Sequence, residues 1–505
     1  MDTKALRQKI LDLAIRGKLV PQDPNDEPAE VLLERIREQK QQMLKEGKLK
    51  KKDIKNDTII FKGEDNLHYE KFQDGTIKCI EDEIPFEVPE GWAWARLRDI
   101  CMMSAGKSKS TDQIKSEPFE GSYPCFGGNG VRGYVDEYNQ DGIFSIVGRQ
   151  GALCGNINIA IGKFYATEHA VVTTLFDGID FKWSNYILEA LRLNNYATGA
   201  AQPGLSVANI LNVFVPVPPT QEQDRIGNNV YESLKIVEAL EQEKIDLQKI
   251  IITAKTKILD LAIRGKLVPQ DPNDEPASVL LERIRTEKEE LIKQGKIKRD
   301  KKESVIFKGD DNSYYLRTGR VEESLEDWRF DDLPETWKIC CLGELCDYGD
   351  CINVNTEDIA EDAWILDLED IEKDTGTVLK KVTKDQRNSV STKHKFHSGQ
   401  VLYSKLRPYL NKVVLSDADG YCTSEILPLE FKNCVLPEYA RYYLMSGTFI
   451  AYANHCSYGV KMPRLGTTEG KKAIFSLPPL SEQKRIVETI DFCFVQLNKI
   501  SEALA

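Results

Sequence analysis

The chain has 505 residues, 41% of them apolar, enough for several domains with cores of their own. A formal net charge of −12 speaks against nucleic acid bound over the whole surface, although binding needs only a local basic footprint. No apolar run reaches the roughly 18 residues of a membrane span, Met1–Lys18 lacks a signal-peptide pattern, and the 12 cysteines follow no disulfide spacing, so a soluble cytoplasmic protein with no membrane partner is expected.

In chain order the first element is a repeat. Ile10–Arg37 reads ILDLAIRGKLVPQDPNDEPAEVLLERIR and returns as Ile258–Arg285 with one change, Glu30 to Ser278. Drift rarely leaves two copies so alike, which implies a duplication with a preserved surface or packing role. Each copy leads into a lysine-rich helical tail, Val31–Lys55 and Val279–Lys302. Lys48, Lys50, Lys51, Lys52 and Lys55 crowd the first; Lys296, Lys298, Arg299, Lys301 and Lys302 crowd the second. With no interleaved aromatics, these read first as solvated helix ends, with contact to phosphates or to an acidic partner as the alternative. Phe61-Lys62-Gly63 then answers Phe307-Lys308-Gly309, and Pro89-Glu90-Gly91-Trp92 answers Pro334-Glu335-Thr336-Trp337.

The first divergent insert reads as a mixed α and β module, with a short strand in Gly142–Gly151 and an amphipathic helix over Phe181–Leu193. Its glycine-rich loops carry Lys107, Lys109, Asn129, Arg132, Arg149 and Gln150, where a backbone can approach a duplex closely. Arg and Lys suit guanine edges, and Asn and Gln suit adenine. A later loop, Ala201–Ser206, presents Gln202 beside Pro203.

Pro218-Pro219 opens a long helix through Ile263, with Thr220 as N-cap, Gln223 as its capping-box partner and Gly265 as the stop. It carries a heptad seam: Val230, Val237, Ile251 and Ile258 in one position, Ile226, Leu240, Leu247, Ala254 and Leu261 in the other. Ile490, Leu497 and Leu504 with Ile486, Cys493 and Ile500 repeat the seam at the C-terminus, and Leu6, Ile10 and Leu13 continue it from the N-terminus. The second helix therefore reads as split between the two chain ends, a circle opened inside one strut.

In the second insert, Gly399–Leu406 reads as a strand and Glu438–Phe449 as a helix. Lys380, Lys381, Lys384, Arg387, Lys393, Lys395, Lys405, Arg407 and Lys412 face a single acid, Asp385, between Val378 and Ser416, the local footprint that phosphates require. Ser404–Tyr409 adds donors and the aromatic Tyr409 on one turn. The acidic stretch Glu357–Asp374 is expected to face away from DNA. Lys461-Met462-Pro463-Arg464 answers the late loop of the first insert and presents Lys461 and Arg464.

No catalytic constellation emerges. Gly106-Lys107-Ser108 lacks the upstream glycine of a phosphate loop. His394 and His397 have no partner at metal-site spacing, and Cys340, Cys341, Cys346 and Cys351 contain no Cys-x-x-Cys pair.

The paired Pro-Pro-x-x-Glu-Gln-x-x-Ile openings (Pro218–Ile226 and Pro478–Ile486), the Ala262–Val268 string, Pro89–Trp92, and Tyr123–Asn129 with Gly148–Asn156 resemble the specificity subunit of type I restriction-modification systems. The resemblance implies a mixed α/β fold with two globular target recognition domains, 85–218 and 330–477, each reading half of a bipartite site on double-stranded DNA. A long antiparallel two-helix coiled coil would separate them, pseudo-twofold and here circularly permuted. It would be built from an N-terminal frame (1–60), a central region (219–308) and a C-terminal helix (478–505). Implied partners are two methyltransferase subunits, which carry S-adenosylmethionine and methylate adenine, and restriction subunits; this chain would hold no cofactor and catalyse nothing. The competing reading is a non-enzymatic protein–protein scaffold with duplicated interaction modules.

Overall fold

The duplicated segment builds the same corner twice. The computed structural model describes residues 2–504 except 152, 200–202, 298–303, 312, 326–332 and 388–389, and the chain divides into two units, Met1–Lys244 and Ile245–Ala505. In the first unit, helix Thr3–Ile15 ends ahead of Gly17 and is followed by helix Ala29–Lys45. Leu11, Ala14, Ile15, Ala29, Leu32 and Leu33 are buried in one core with Trp92, Trp183 and Ile187. Their copies in the second unit, Leu259, Ala262, Ile263, Ala277, Leu280 and Leu281, are buried with Trp337, Tyr443 and Ile486. Gly265 stops its helix as expected, at a φ of 66°, and Gly17 does so at 64°. A Cβ at Gly17 would lie 2.4 Å from Pro89, and one at Gly265 2.5 Å from Pro334, so only glycine fits this turn.

The long helix runs from Thr220 to Ile263 over 44 residues, about 66 Å at ~1.5 Å per residue. Ile226, Val230 and Leu234 are buried in the core of the first unit and Leu259, Ala262 and Ile263 in that of the second, while Val237 and Ile251, both seam positions, are buried outside either core. Leu234 and Leu259 lie outside the heptad seam, whereas Leu247, assigned to it, is exposed. Near each end the helix turns a stripe of about 3.6-residue period to its own unit's core, and that periodicity overrides a strict seam of about 3.5. Thr220 begins the helix, but the capping box does not form. Gln223 instead donates through Nε2 to Pro218 O at 3.0 Å and accepts from Asp180 N at 2.9 Å.

Each insert is closed at its base by a strand pair joining its two ends: Ala93–Arg96 with Phe214–Val217, and Lys338–Cys341 with Ile474–Leu477. A three-stranded sheet precedes each base, Ile59–Lys62, His68–Lys71 and Ile77–Cys79 in the first unit, and Ser304–Lys308, Tyr314–Thr318 and Val321–Ser324 in the second. The first insert holds a six-stranded sheet in the order Cys101–Ala105, Ala170–Leu175, Gln140–Gly148, Ile157–Ala166, Tyr123–Gly127, Gly130–Val135. The second holds a five-stranded and a three-stranded sheet, with Val401–Ser404 central in the latter. Helix Phe181–Ala190 falls where expected, while Glu438–Phe449 becomes two helices, Pro437–Leu444 and Gly447–His455. Ser446 causes the break: its hydroxyl accepts from Phe449 N and caps a new start.

Candidate nucleic-acid interface

The Glu-Gln pair of the repeated openings is a joint rather than a reactive site. Glu222 accepts from Trp92 Nε1 at 2.9 Å and from Gln22 Nε2 at 3.1 Å. Glu482 accepts from Trp337 Nε1 at 2.9 Å and from Gln270 Nε2 at 2.6 Å. Burial pushes both carboxyls up, against those donors. Gln483 repeats the Gln223 bonds, donating to Pro478 O at 3.0 Å and accepting from Leu436 N at 2.8 Å. Arg225–Asp26 and Arg485–Asp274 complete each copy. Frame, helix and insert base are thus pinned together in each unit, which fixes how the loops beyond are presented.

Those loops form a second duplicated device. In the first unit, Leu205 N donates to Arg149 O at 2.8 Å and Gly151 N to Pro203 O at 3.1 Å. In the second, Leu465 N donates to Lys405 O at 3.0 Å and Arg407 N to Pro463 O at 2.7 Å. Late in each insert an antiparallel bridge forms, Thr198 with Gly204 and Tyr458 with Arg464. The turn after strand Gln140–Gly148 therefore corresponds to the turn after strand Val401–Ser404, with Arg149 in the place of Lys405 and Gly151 in the place of Arg407. Gly151 takes a φ of 86°; Arg407 takes the left-handed corner at 51°, which costs a side-chain-bearing residue about 1 kcal/mol or more. Among the described residues Arg149 Nε and Arg407 Nε are both buried without a partner, at about 1–3 kcal/mol each.

The structure sorts the residues expected from the sequence. Arg149 and Gln150 lie in the first clamp, and Lys405, Arg407, Lys461 and Arg464 in the second; Tyr409, half exposed, follows Arg407 on a single 3-10 turn. Gln202 lies outside the described residues, as do Lys298, Arg299, Lys301 and Lys302. Asn129 accepts from Asn156 Nδ2 at 2.8 Å and Arg132 donates to Thr111 at 3.0 Å, both exposed. Lys107 is exposed on a separate loop, whereas Lys109 folds back onto Glu137 at 2.7 Å and over the Tyr165 ring. Arg464 is held by Glu425 through contacts of 2.8–3.1 Å, and that carboxylate raises its pKa. It pins the base of the hairpin instead of standing at its tip.

The basic run of the second insert needs correction. The acidic stretch does not face away from it but folds against it. Arg387 pairs with Asp367 and Asp370, Lys384 with Glu361 at 3.1 Å, Lys393 with Asp367 at 3.6 Å, and Lys380 with Asp370 at 3.8 Å. Lys381 is bound to Asp417 at 2.7 Å, and Lys412 donates to Leu368 O at 2.6 Å. Opposite charges adjacent in sequence find each other across the sheet, and the fold consumes most of the footprint that the linear count offered to phosphates. Among the described residues, Lys395, Lys405, Arg407 and Lys461 have no carboxylate within ion-pair distance.

Sequence reasoning missed Asn158, Glu168 and His169, each with a buried polar atom lacking a partner, as well as Glu425 and Tyr458. Arg149 N donates to His169 O at 3.1 Å, which joins His169 to the first clamp. Nothing in the linear order marks these residues, because the crossing of distant loops defines them. Among the described residues no group of His, Cys, Asp or Glu could hold a metal, and no helix is long and apolar enough to cross a membrane.

Two recognition-type inserts, each closed at its base and joined to its frame and helix, are what the comparisons match. The type I restriction modification DNA specificity domain matches twice, over residues 89–254 and 334–503, and the chain belongs to that family. The EcoAI specificity subunit of Escherichia coli is 28% identical over 98% of this chain and 90% of its own length. The EcoprrI specificity subunit of the same species is 45% identical over 29% of this chain and 36% of its own length. A solved chain from work on complex assembly and conformational transition of the type I R-M system shares the fold, with a TM-score of 0.50, 14% identity, and coverage of 83% of this chain and 94% of that one. The protein is thus a DNA specificity component of a type I restriction-modification system, with DNA and the other subunits of such a system as its partners.

Proposed function

We propose that each of the two clamps reads one half of a bipartite DNA site, and that the chain itself performs no catalysis. Arg407 is the observation that carries this reading. It accepts a left-handed corner where the first unit uses glycine, and it leaves Nε buried and unpaired. Among the described residues no side-chain hydrogen bond of Arg407 offsets these costs, whereas a contact from its Nη groups to a guanine edge would. Lys405 and Lys461 supply phosphate or base donors beside it, and Arg149 and Gln150 with the sequence neighbour Gln202 do the same for the first half-site. Lys107, Asn129 and Arg132 extend that first surface.

The near-identical frames would dock two methyltransferase subunits, which bring S-adenosylmethionine and adenine methylation, with restriction subunits joining this core. Burial accounts for Leu32 and Leu33 and their copies, but Val31, Glu34, Val279 and Glu282 are exposed and equally alike, which a shared partner explains. The long helix, with the C-terminal helix Leu480–Leu504 and helix Thr3–Ile15, would form the antiparallel spacer of a permuted, pseudo-twofold scaffold in the cytoplasm. Lys255 donating to Asn498 at 2.6 Å and packing over Phe494 supports that pairing in the second unit.

A module swap tests the reading. Replacing residues 337–475 with the matching segment of a relative should change one half of the methylated word, mapped in the host genome, and leave the other half intact. Change in both halves, or in neither, would overturn it.

A further inference from the structure

The hairpin of the second clamp ends in an apolar tip that the fold does not use. Tyr458 N donates to Arg464 O at 3.1 Å and Arg464 N to Tyr458 O at 3.0 Å, closing the tip Gly459-Val460-Lys461-Met462-Pro463. Gly459, at a φ of 96°, makes the bend, while Pro463 O and Leu465 N tether the loop to Arg407 and Lys405. On this fixed support Val460 is fully exposed, at 101%, and Met462 is 46% exposed. A lone exposed apolar side chain is ordinary. Here two of them flank Lys461 on a loop held by three separate sets of bonds, beside the unpaired cations Lys405 and Arg407.

The cations select a polyanion, and the apolar pair must then meet something apolar on it. Phosphates and most base edges are polar, and the deoxyribose carbons lie in the backbone walls; along the base edges of the major groove the one apolar group is the C5-methyl of thymine. We infer that Val460 and Met462 read a thymine methyl in the half-site of the second unit. By the 260-residue offset the sequence positions that answer Val460, Lys461 and Met462 hold Ala200, Ala201 and Gln202, so the readout is particular to the second unit. The inference rests on the DNA-reading function proposed above and adds the chemical class of one contacted base.

The test uses the full-length chain, alone and with its methyltransferase, on duplexes carrying the mapped site, with each thymine replaced singly by uracil so that only the methyl is lost. In the second half-site at least one replacement should weaken binding about fourfold, the worth of one buried methyl. The variant Val460→Asn with Met462→Gln should bind the thymine duplex more weakly by a similar factor and no longer distinguish uracil from thymine there. Its response to uracil in the first half-site should be unchanged. Val460 lies wholly in solvent and Met462 is 46% exposed, so the polar replacements should leave folding intact, as an unaltered thermal melt would verify. Specific binding with no uracil penalty in the second half-site, or a penalty that persists in the variant, overturns this inference alone. Absence of any sequence-specific binding by the unaltered chain overturns both it and the proposed function.

Discussion

The joint between small sheet and insert base is built twice with opposite chemistry. In the first unit Glu70, 3% exposed, accepts from Arg96 Nε at 3.0 Å and Nη2 at 2.7 Å, and Thr58 donates to it at 2.7 Å. The Arg96 guanidinium lies 3.6 Å over the Phe214 ring. In the second unit the matching positions are Leu316 and Cys341, buried in an apolar cluster with Ile306, Ile339 and Ile474. Tyr69 and Tyr315, each bonded to an aspartate at 2.7 Å, set the register that makes the two joints equivalent. A buried, fully bonded ion pair and a well-packed apolar contact can be nearly equal in net stability, since desolvation offsets the Coulomb gain. What the pair adds is dependence on both partners at once. One scaffold thus tolerates either solution but not half of one.

The largest effect should follow from breaking that pair. Glu70→Ala leaves the Arg96 guanidinium, its side chain only 16% exposed, without its carboxylate and should cost about 3 kcal/mol in chemical denaturation of the first unit. The double change Glu70→Leu with Arg96→Cys, which copies the second unit, should recover most of the loss. If the double variant were as unstable as the single one, the two joints would not be interchangeable.

A smaller effect separates the units by pH. Lys40, 4% exposed, reaches Asp57 at 2.9 Å, Arg98 O at 2.7 Å and Asp99 at 4.0 Å. Burial pushes the Asp99 carboxyl up to about 6 from 3.8, against the pull of Lys40. A raised carboxyl binds its proton more tightly when folded, so its contribution is full below about 3.8 and lost as pH rises through about 6. The loss is on the order of 2–3 kcal/mol. Asp99→Asn, which can still accept from Arg96 N, should flatten the melting temperature of the first unit across that window; an unchanged slope would assign it to other groups. In the second unit the corresponding Glu344 pairs with Arg285 at 2.7 Å instead.

The finest comparison exchanges the clamps' corners. Arg407→Gly gives the second clamp the residue of the first. Stability should hold or rise by up to about 1 kcal/mol as strain is relieved. Affinity for the second half-site alone should fall by about 1–3 kcal/mol. Equal weakening at both half-sites in a binding titration would show that Arg407 acts on the fold rather than on a base.

How much was legible beforehand follows from which interactions are local. The repeat, the Gly265 stop and the long helix from Thr220 rest on contacts within a few residues, and each is visible in the linear pattern. The resemblance carried by the Pro-Pro-x-x-Glu-Gln openings was legible too, although their physical role was not. Glu222 and Gln223 act on Trp92, Gln22 and Asp180, partners that only folding brings near. The heptad reading was half right: apolar residues do line the helix, but the cores at either end choose Leu234 and Leu259, and Leu247 stays in water. The basic run failed as a guide because charge counted along a chain ignores what lies across the sheet, where Asp367 and Asp370 neutralise Arg387. Composition and repetition determined that this chain carries two related modules on a duplicated frame. Tertiary structure decided which cations stay free for DNA, since that depends on which carboxylates the fold places within reach.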